Sequence, residues 1–202
     1  MSLRLRTRKA LASALAFAAC AALLITRWPA SPTINKTVYV QVGRTLAIEG
    51  LKLLKPGGKF MIITRDTEEY RQPAMALARA SLEREIRRAG AEIRSIEAIQ
   101  LDPIRPVEVA AGDFYELLRR CSVADVVVSL LGPPILSEEQ RMKLGHSKAN
   151  VVALCPTAAN AEQLLRTGWL QVALVNKPGT EGKSFEGLYR VMKPEGVIAG
   201  SL

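Results

Sequence analysis

From residue 37 onward, short apolar runs alternate with segments whose apolar residues recur at the spacing of one helix face. The apolar runs predict six strands, at residues 38–42, 60–64, 93–99, 125–131, 151–154 and 172–175. Continuous apolar strands that alternate with amphipathic helices indicate a parallel sheet covered on both faces. The predicted fold is therefore α/β: a doubly wound three-layer sandwich with a mainly parallel sheet of about six strands, preceded by an N-terminal apolar helix.

Local signals predict where the intervening helices begin and end. The first helix spans about 44–54, and the second spans 73–89, with Pro73 in its first turn and Gly90 at its end. Ser137 predicts the N-cap of a later helix, Asn160 caps the last helix of the alternation, and residues 185–192 predict one further helical stretch. The predicted buried stripe of the second helix consists of Ala76, Leu77, Ala80, Ile86 and Ala89.

The N-terminal segment has the composition of an export signal. Residues 1–9 are basic, and residues 10–26 form an uncharged apolar run that ends at Arg27. As a helix this run is roughly 25 Å long, slightly short for a hydrocarbon core of about 30 Å. An uncleaved anchor is favoured because apolar residues continue to Ile25; a cleaved signal and a lipoprotein modified at Cys20 are the alternatives. The excess of positive charge before the run places the domain on the periplasmic or outer side.

This pattern predicts three parts of the chain. Residues 1–32 are a signal or anchor segment and linker, residues 33–178 form the α/β domain, and residues 179–202 are a C-terminal tail.

Charge and metal-binding residue types narrow the function further. The formal net charge is +9, but five basic residues and no acidic residue lie among the first thirty, which leaves 23 basic and 19 acidic residues elsewhere. Those charges are interleaved, as on a solvated surface, so nucleic acid is not expected as a partner. The single histidine and three cysteines show no metal-ligand spacing, and no metal or other cofactor is predicted. Cys121 and Cys155 fall at opposite edges of the predicted sheet, so no disulfide between them is expected.

A longer arrangement of motifs resembles a known family. Val42-Gly43 precedes a helix, Gly57-Gly58-Lys59-Phe60 leads into the second strand, a charged turn with Arg71 opens a long helix, and Ala124-Asp125 begins an apolar strand. Over residues 35–178 this order resembles one lobe of a type 1 periplasmic solute-binding protein of the sugar-binding kind. The resemblance implies a solute held between two lobes, with an arginine from the charged turn; Arg71 is the matching position.

The resemblance also implies an incomplete binding site, because the chain has room for one lobe. A second copy, a partner protein, or a different task such as sensing or scaffolding is then implied. A weaker similarity joins Leu54–Phe60 to the late turn of class I methyltransferases. The early glycine-rich loop of that family is absent, so a helix end followed by a strand is favoured.

Candidate ligand-binding residues follow the predicted strands, because ligands bind beyond the carboxyl ends of parallel strands. Hydroxyl, guanidinium and carboxylate groups after the second strand suit a polyol or a small anion; the alternative is that such residues only cap helices. The candidates are Thr64, Arg65, Asp66, Thr67 and Arg71 after the second strand, Gly132 and Pro133 after the fourth, Thr157 after the fifth and Asn176 after the sixth.

No catalytic constellation is predicted. His146 has no nucleophile beside it in sequence, Ser129 lacks the flanking glycines of a nucleophile elbow, and Asp125 is expected to cap or pair locally. The prediction is an exported or membrane-anchored, non-catalytic domain that binds or senses a small, sugar-like solute. Its expected partners are that ligand, the membrane through residues 10–26, and a second copy or partner lobe. The alternatives are an exported enzyme that uses Asp66 and an envelope scaffold that has lost its ligand.

Overall fold

The computed structural model describes residues 34–66, 72–100, 109–145, 149–177 and 184–194. The predicted apolar helix, together with Thr67, Arg71 and His146, lies outside these ranges. The described helices are α1 (Lys36–Leu53), α2 (Pro73–Arg88), α3 (Ala111–Arg119), α4 (Glu138–Leu144), α5 (Ala158–Arg166) and α6 (Phe185–Leu188). The strands are β1 (Phe60–Arg65), β2 (Ile93–Ile99), β3 (Val126–Ser129), β4 (Asn150–Cys155), β5 (Val172–Asn176) and β6 (Tyr189–Met192).

The strands form one six-stranded sheet in the order β2-β1-β3-β4-β5-β6. The first five run parallel, and β6 pairs antiparallel with β5. The chain moves from β1 to one side and then returns to place β3 on the other side, so the direction of winding reverses between β1 and β3. This order confirms the predicted doubly wound, mainly parallel sheet.

Alternate side chains of each buried strand enter two separate cores. Phe60, Ile62 and Val128 belong to the core that α1 and α2 cover, while Met61 and Val127 belong to the core beneath α3 and α5. All four residues of β3 are buried. The central strands β1, β3, β4 and β5 are largely apolar because both of their faces are covered.

The predicted first strand, residues 38–42, is wrong. These residues lie in α1, a helix of 18 residues that begins before the predicted helix and ends at Leu53, one residue before its predicted end. Val38, Val42 and Leu46 are all buried at a spacing of four residues, which is the spacing of one helix face. The short run of β-branched residues suggested a strand, but burial against the sheet outweighs this weak intrinsic preference.

Helices α1 and α2 pack in close contact through small residues. A Cβ atom built on Gly43 would overlap the Ala78 carbonyl oxygen. The Ser81 hydroxyl donates a 2.8 Å hydrogen bond to the Val40 carbonyl. Because α2 packs against α1 as well as the sheet, its buried residues differ from the predicted stripe, of which only Ile86 is buried; the buried set is Ala78, Ser81, Leu82 and Ile86.

Several predicted helix ends are confirmed and others are corrected. α2 begins at Pro73 as predicted, and Ser137 caps α4 by accepting from the Gln140 amide. Asn160 lies inside α5, whose N-cap is Thr157, because the helix begins directly after β4. The predicted helical stretch at residues 185–192 divides into the single turn of α6 and the strand β6. Pairing with β5 gives this apolar segment a strand conformation.

Asp125 joins the amino ends of three strands. Its side chain is buried and accepts hydrogen bonds from the backbone amides of Lys59, at 2.8 Å, and Ser122, at 2.6 Å. The Arg94 guanidinium of β2 lies 3.0 Å from the same carboxylate. Burial alone would raise the pKa of Asp125, but these amide donors and Arg94 lower it below the usual value. The predicted local pairing of Asp125 is found with Ser122, and the carboxylate also binds the distant Lys59 and Arg94.

None of the described helices is long and apolar enough to cross a bilayer. The predicted segment 10–26 lies outside the described residues.

Substitution of Gly43 by alanine tests the close contact between α1 and α2. The new methyl group would overlap the backbone of α2, so we expect a loss of about 1–3 kcal/mol in the free energy of unfolding. Gly112→Ala is the matched control, because Gly112 lies in α3 with no atom within 4 Å of a built Cβ. This control should be neutral or stabilising by up to about 1 kcal/mol. Equal effects in urea unfolding would contradict the packing argument.

Asp125→Asn tests the junction at the amino ends of the strands. Since the folded-state pKa lies below the unfolded value, the stabilisation is fully present above about pH 4 and is lost as the pH falls through the folded-state pKa. We expect the variant to lose about 2–4 kcal/mol at pH 7, with a smaller difference at pH 3. Urea unfolding at both pH values measures this, with the exposed Asp113→Asn as control. A difference independent of pH would refute the electrostatic account.

Candidate functional site

The register of the sheet brings the predicted ligand-binding loops to one edge. Ile63 of β1 pairs with Ser129 of β3, which pairs with Ala153 of β4, and Cys155 of β4 pairs with Val175 of β5. The residues that follow these positions therefore leave the sheet at nearly the same level. Neighbouring strands lie about 4.8 Å apart, so the loops after β1, β3, β4 and β5 lie side by side. We call this side of the sheet the carboxyl edge.

The winding reversal lies within this edge. β1 connects to β2 on one side and β3 lies on its other side, so the connections after β1 and β3 leave in opposite directions. Ligands of open α/β sheets bind in the crevice that such a reversal creates. The geometry therefore selects the ends of β1 and β3, among the four predicted loops, as the centre of the candidate site.

At the end of β1, candidate residues that are adjacent in sequence lie on different faces of the sheet. Thr64 is 2% exposed and shares the sheet face of Ile62, whereas Arg65 is half-buried and faces the opposite side. The Asp66 amide extends the ladder by donating to the Ile99 carbonyl at 2.9 Å. The side chains of Thr64 and Arg65 therefore lie on opposite faces of the sheet and cannot contact a ligand from the same face. Thr67 and Arg71 lie outside the described residues.

The loop after β3 is held rigidly against β4. Gly132 has a φ of 77°, and a Cβ there would lie 3.4 Å from the Leu154 carbonyl oxygen. The Ser129 hydroxyl donates to the Gly132 carbonyl and accepts from the Leu131 amide, both at 3.3 Å. Gly132 is buried and Pro133 half-buried. Gly132 and Pro133 therefore form the base of the carboxyl edge. The two hydrogen bonds of the Ser129 hydroxyl explain why a polar residue is tolerated in an apolar strand.

The most open candidate side chains follow β4 and β5. Thr157 is exposed at the N-cap position of α5, yet it makes no capping hydrogen bond. Asn176 is exposed at the last position of β5, where its backbone pairs with Tyr189. The alternative that the candidates only cap helices fails for Thr157. Its hydroxyl is available to a ligand at the carboxyl edge.

The two described cysteines are buried thiols. Cys155 lies at the end of β4, and burial raises its pKa to about 12. Burial and the neighbouring Asp125 raise the pKa of Cys121 to about 11, and its Sγ lies 3.8 Å from the Met61 Sδ. A thiol needs its thiolate form to react. Neither cysteine is therefore suited to nucleophilic catalysis at neutral pH.

The described residues also contain a cavity that the sequence did not indicate. It has a volume of about 370 Å³ and lies where α1 ends and β5 begins, at the opposite side of the sheet from the carboxyl edge. We call it the amino-edge cavity; its lining residues are Glu49, Lys52, Leu53, Gln171, Val172, Lys193 and Pro194. These residues come from three distant parts of the chain, so no local sequence signal could have found them.

The described residues hold no cluster of three or more histidine, cysteine, aspartate or glutamate side chains arranged to bind a metal. A smaller cavity of about 40 Å³ lies beside Arg141 and Trp169.

The topology and the carboxyl edge define the fold class: the described chain has the fold of one lobe of a type 1 periplasmic solute-binding protein. Solved structures of that kind resemble it. The periplasmic ribose ABC transporter of Conexibacter woesei is 13% identical with a TM-score of 0.56, and the match covers 80% of this chain and 59% of the other. The fold likeness agrees with the resemblance read from the motifs of the sequence.

Two proteins of Geobacillus stearothermophilus are also similar in structure. The arabinose-binding protein AraP is 12% identical with a TM-score of 0.51, covering 84% of this chain and 64% of the other. The glucose-galactose-binding protein GanP is 17% identical with a TM-score of 0.50, covering 81% and 61%. This chain thus spans about three fifths of each of these structures. No protein-family model and no curated protein sequence matches it.

Thiol labelling tests the burial of the cysteines. In a Cys20→Ser variant, Cys121 and Cys155 are the remaining thiols, and we expect both to resist Ellman's reagent at pH 8 in the native state. Both should react fully once guanidinium unfolds the protein, because unfolding restores an ordinary thiol pKa. Stoichiometric labelling of the native protein within minutes would contradict this assignment.

Proposed function

We propose that this chain is an extracytoplasmic domain that binds or senses a small, sugar-like solute at its carboxyl edge. The observation that carries the proposal is the strand order, which puts the winding reversal between β1 and β3 and so brings the predicted loops to one crevice. The fold likeness to sugar-binding lobes supports the same choice.

The chemistry of the edge favours a neutral, hydroxylated ligand. Thr157 supplies a hydroxyl group and Asn176 an amide, and both side chains are exposed. Asp66 is the acidic residue at the end of β1, and Arg71 is the proposed arginine donor from the turn that follows. Hydroxyl, amide and carboxylate groups each pair with the hydroxyls of a polyol, and an arginine donates in a fixed geometry. A sugar matches this mixture better than a polyanion, which would require several cations.

A second binding surface completes the proposed site. The edge is one side of a single sheet, and the chain spans about three fifths of the two-lobed proteins that it resembles. Small-molecule sites bury most of the ligand surface, which one edge does not achieve. We propose that a second copy of the chain or a partner protein covers the ligand from the other side.

The N-terminal segment supports the proposed location. Residues 1–9 are basic and residues 10–26 are apolar, as in an export signal or a membrane anchor. A domain outside the cytoplasm would meet solutes as they enter the cell envelope. The proposal therefore includes export, with residues 10–26 as signal or tether.

A thermal-shift screen of the full chain against sugars, polyols, nucleosides, amino acids and small anions tests this function. A ligand at one hundred times its dissociation constant adds about 2.7 kcal/mol to the free energy of unfolding. That stabilisation raises the melting temperature by about 5–10 °C. We expect the shift with a sugar or polyol. A flat response across all classes would remove the solute-binding proposal and favour a scaffold.

Variants at the carboxyl edge test where the ligand binds. We expect Arg71→Ala to weaken binding roughly 10- to 100-fold and Thr157→Val roughly 2- to 10-fold, through lost hydrogen bonds. Arg88→Ala and Thr167→Val are matched controls, because these residues lie at the opposite ends of α2 and α5. The readout is the ligand-induced shift, which subtracts any change in basal stability. Equal losses in the variants and the controls would place the ligand elsewhere.

A further inference from the structure

The amino-edge cavity has the features of a second, separate ligand site. Its volume of about 370 Å³ falls within the range of small-molecule sites, about 300–1,000 Å³. It lies between the last turn of α1, the start of β5 and the residues that follow β6. Because β5 spans roughly 16 Å from this end to the carboxyl edge, one small molecule cannot occupy both places.

The polar side of the cavity carries a net positive charge. The Glu49 carboxylate lies 2.6 Å from the Lys52 Nζ and 2.8 Å from the Lys193 Nζ. Burial tends to raise the pKa of Glu49, but the two lysines lower it overall, so this carboxylate is ionised at neutral pH. One negative and two positive groups leave a charge of +1. Each ammonium donates once to Glu49 and has two further N–H donors.

The rest of the cavity offers apolar surface and few polar groups. Leu53, Val172 and Pro194 line it. The Gln171 side chain also lines it, but its Oε1 accepts from the Val151 amide at 2.6 Å and its Nε2 donates to the Gly168 carbonyl at 2.9 Å. These bonds hold the Gln171 amide in the protein. Recognition of a polar ligand group therefore falls to the two lysines.

We propose that the amino-edge cavity binds a small monocarboxylate with an apolar body. The carboxylate lies between the ammonium groups of Lys52 and Lys193, and the hydrocarbon part contacts Leu53, Val172 and Pro194. A single negative charge matches the net charge of the three side chains, and the apolar part gains from leaving water. The proposal concerns a different place from the carboxyl-edge site and stands without it.

Titration of the ¹⁵N-labelled full chain with octanoate, followed by NMR, tests the site. We expect saturable chemical-shift changes at the amides of Leu53, Gln171, Val172 and Lys193. Acetate supplies the charge without the apolar body, and octan-1-ol supplies the body without the charge; both should bind at least tenfold more weakly. Absence of saturable shifts at these amides overturns the proposal. Equal affinity for octan-1-ol also overturns it, because the lysines then contribute nothing.

Charge variants separate recognition from a merely structural role. Lys52→Met and Lys193→Met should each weaken octanoate binding roughly two- to fivefold, the size expected for one exposed charge. Glu49→Gln should strengthen binding, because it leaves both ammonium groups without a competing carboxylate. Lys143→Met is the matched control, since Lys143 forms an exposed ion pair of the same 2.6 Å length with Glu139 on α4.

The remaining outcomes also decide the proposal. Weaker binding by Glu49→Gln in a folded protein would show that the triad of Glu49, Lys52 and Lys193 only supports local structure. If octanoate bound only after residues 195–202 were removed, the natural occupant of the cavity would be that segment of the chain and not a small molecule. Either result would overturn the monocarboxylate site.

Discussion

The buried carboxylate of Asp125 is the constraint on which the alignment of the neighbouring strands β1, β2 and β3 depends. It accepts from the backbone amides of Lys59 and Ser122 and pairs with Arg94, so it joins residues beside β1, β3 and β2 at their amino ends. A buried charge is tolerated only when it has such partners. Because these partners hold the three strands at one end, the register carries through to their other end. The loops after β1 and β3 therefore leave the sheet side by side, which is what a ligand crevice at the winding reversal requires.

The two ends of the sheet differ in how they are built. The carboxyl edge is assembled from loops, with Gly132 packed against β4 as a rigid floor and Thr157 and Asn176 exposed above it. The amino edge is assembled from helix ends and strand starts, and there the Glu49 triad borders an apolar cavity. The length of the buried strands separates the two ends, by roughly 16 Å along β5. A binding event at either end can therefore be altered by substitution without direct contact with the other.

Segments with strong local patterns were predicted well, and segments decided by distant contacts were not. The strands β1 to β5 and the start of α2 at Pro73 are confirmed because continuous apolar runs and proline placement are local signals. The sequence predicts a strand at residues 38–42, since five residues with three β-branched side chains fit both periods. Burial of Val38, Val42 and Leu46 on one helix face shows that the helix is formed instead. The buried face of α2 was misplaced because Gly43 of α1, not the sheet alone, determines which residues it covers.

By itself, the sequence determined the class of fold and the parallel strands, because alternation of apolar runs and helices permits few arrangements. The loops in which a ligand site would lie are its prediction. It also predicts an export-like segment from the basic and apolar composition of residues 1–26. Only the tertiary structure decided that Thr64 and Arg65 face opposite sides of the sheet, that the Thr157 hydroxyl is not used as a helix cap, and that Glu49 meets Lys193 across most of the chain. The physical reason is that these relations depend on strand register and on contacts between residues far apart in sequence, and neither leaves a local pattern.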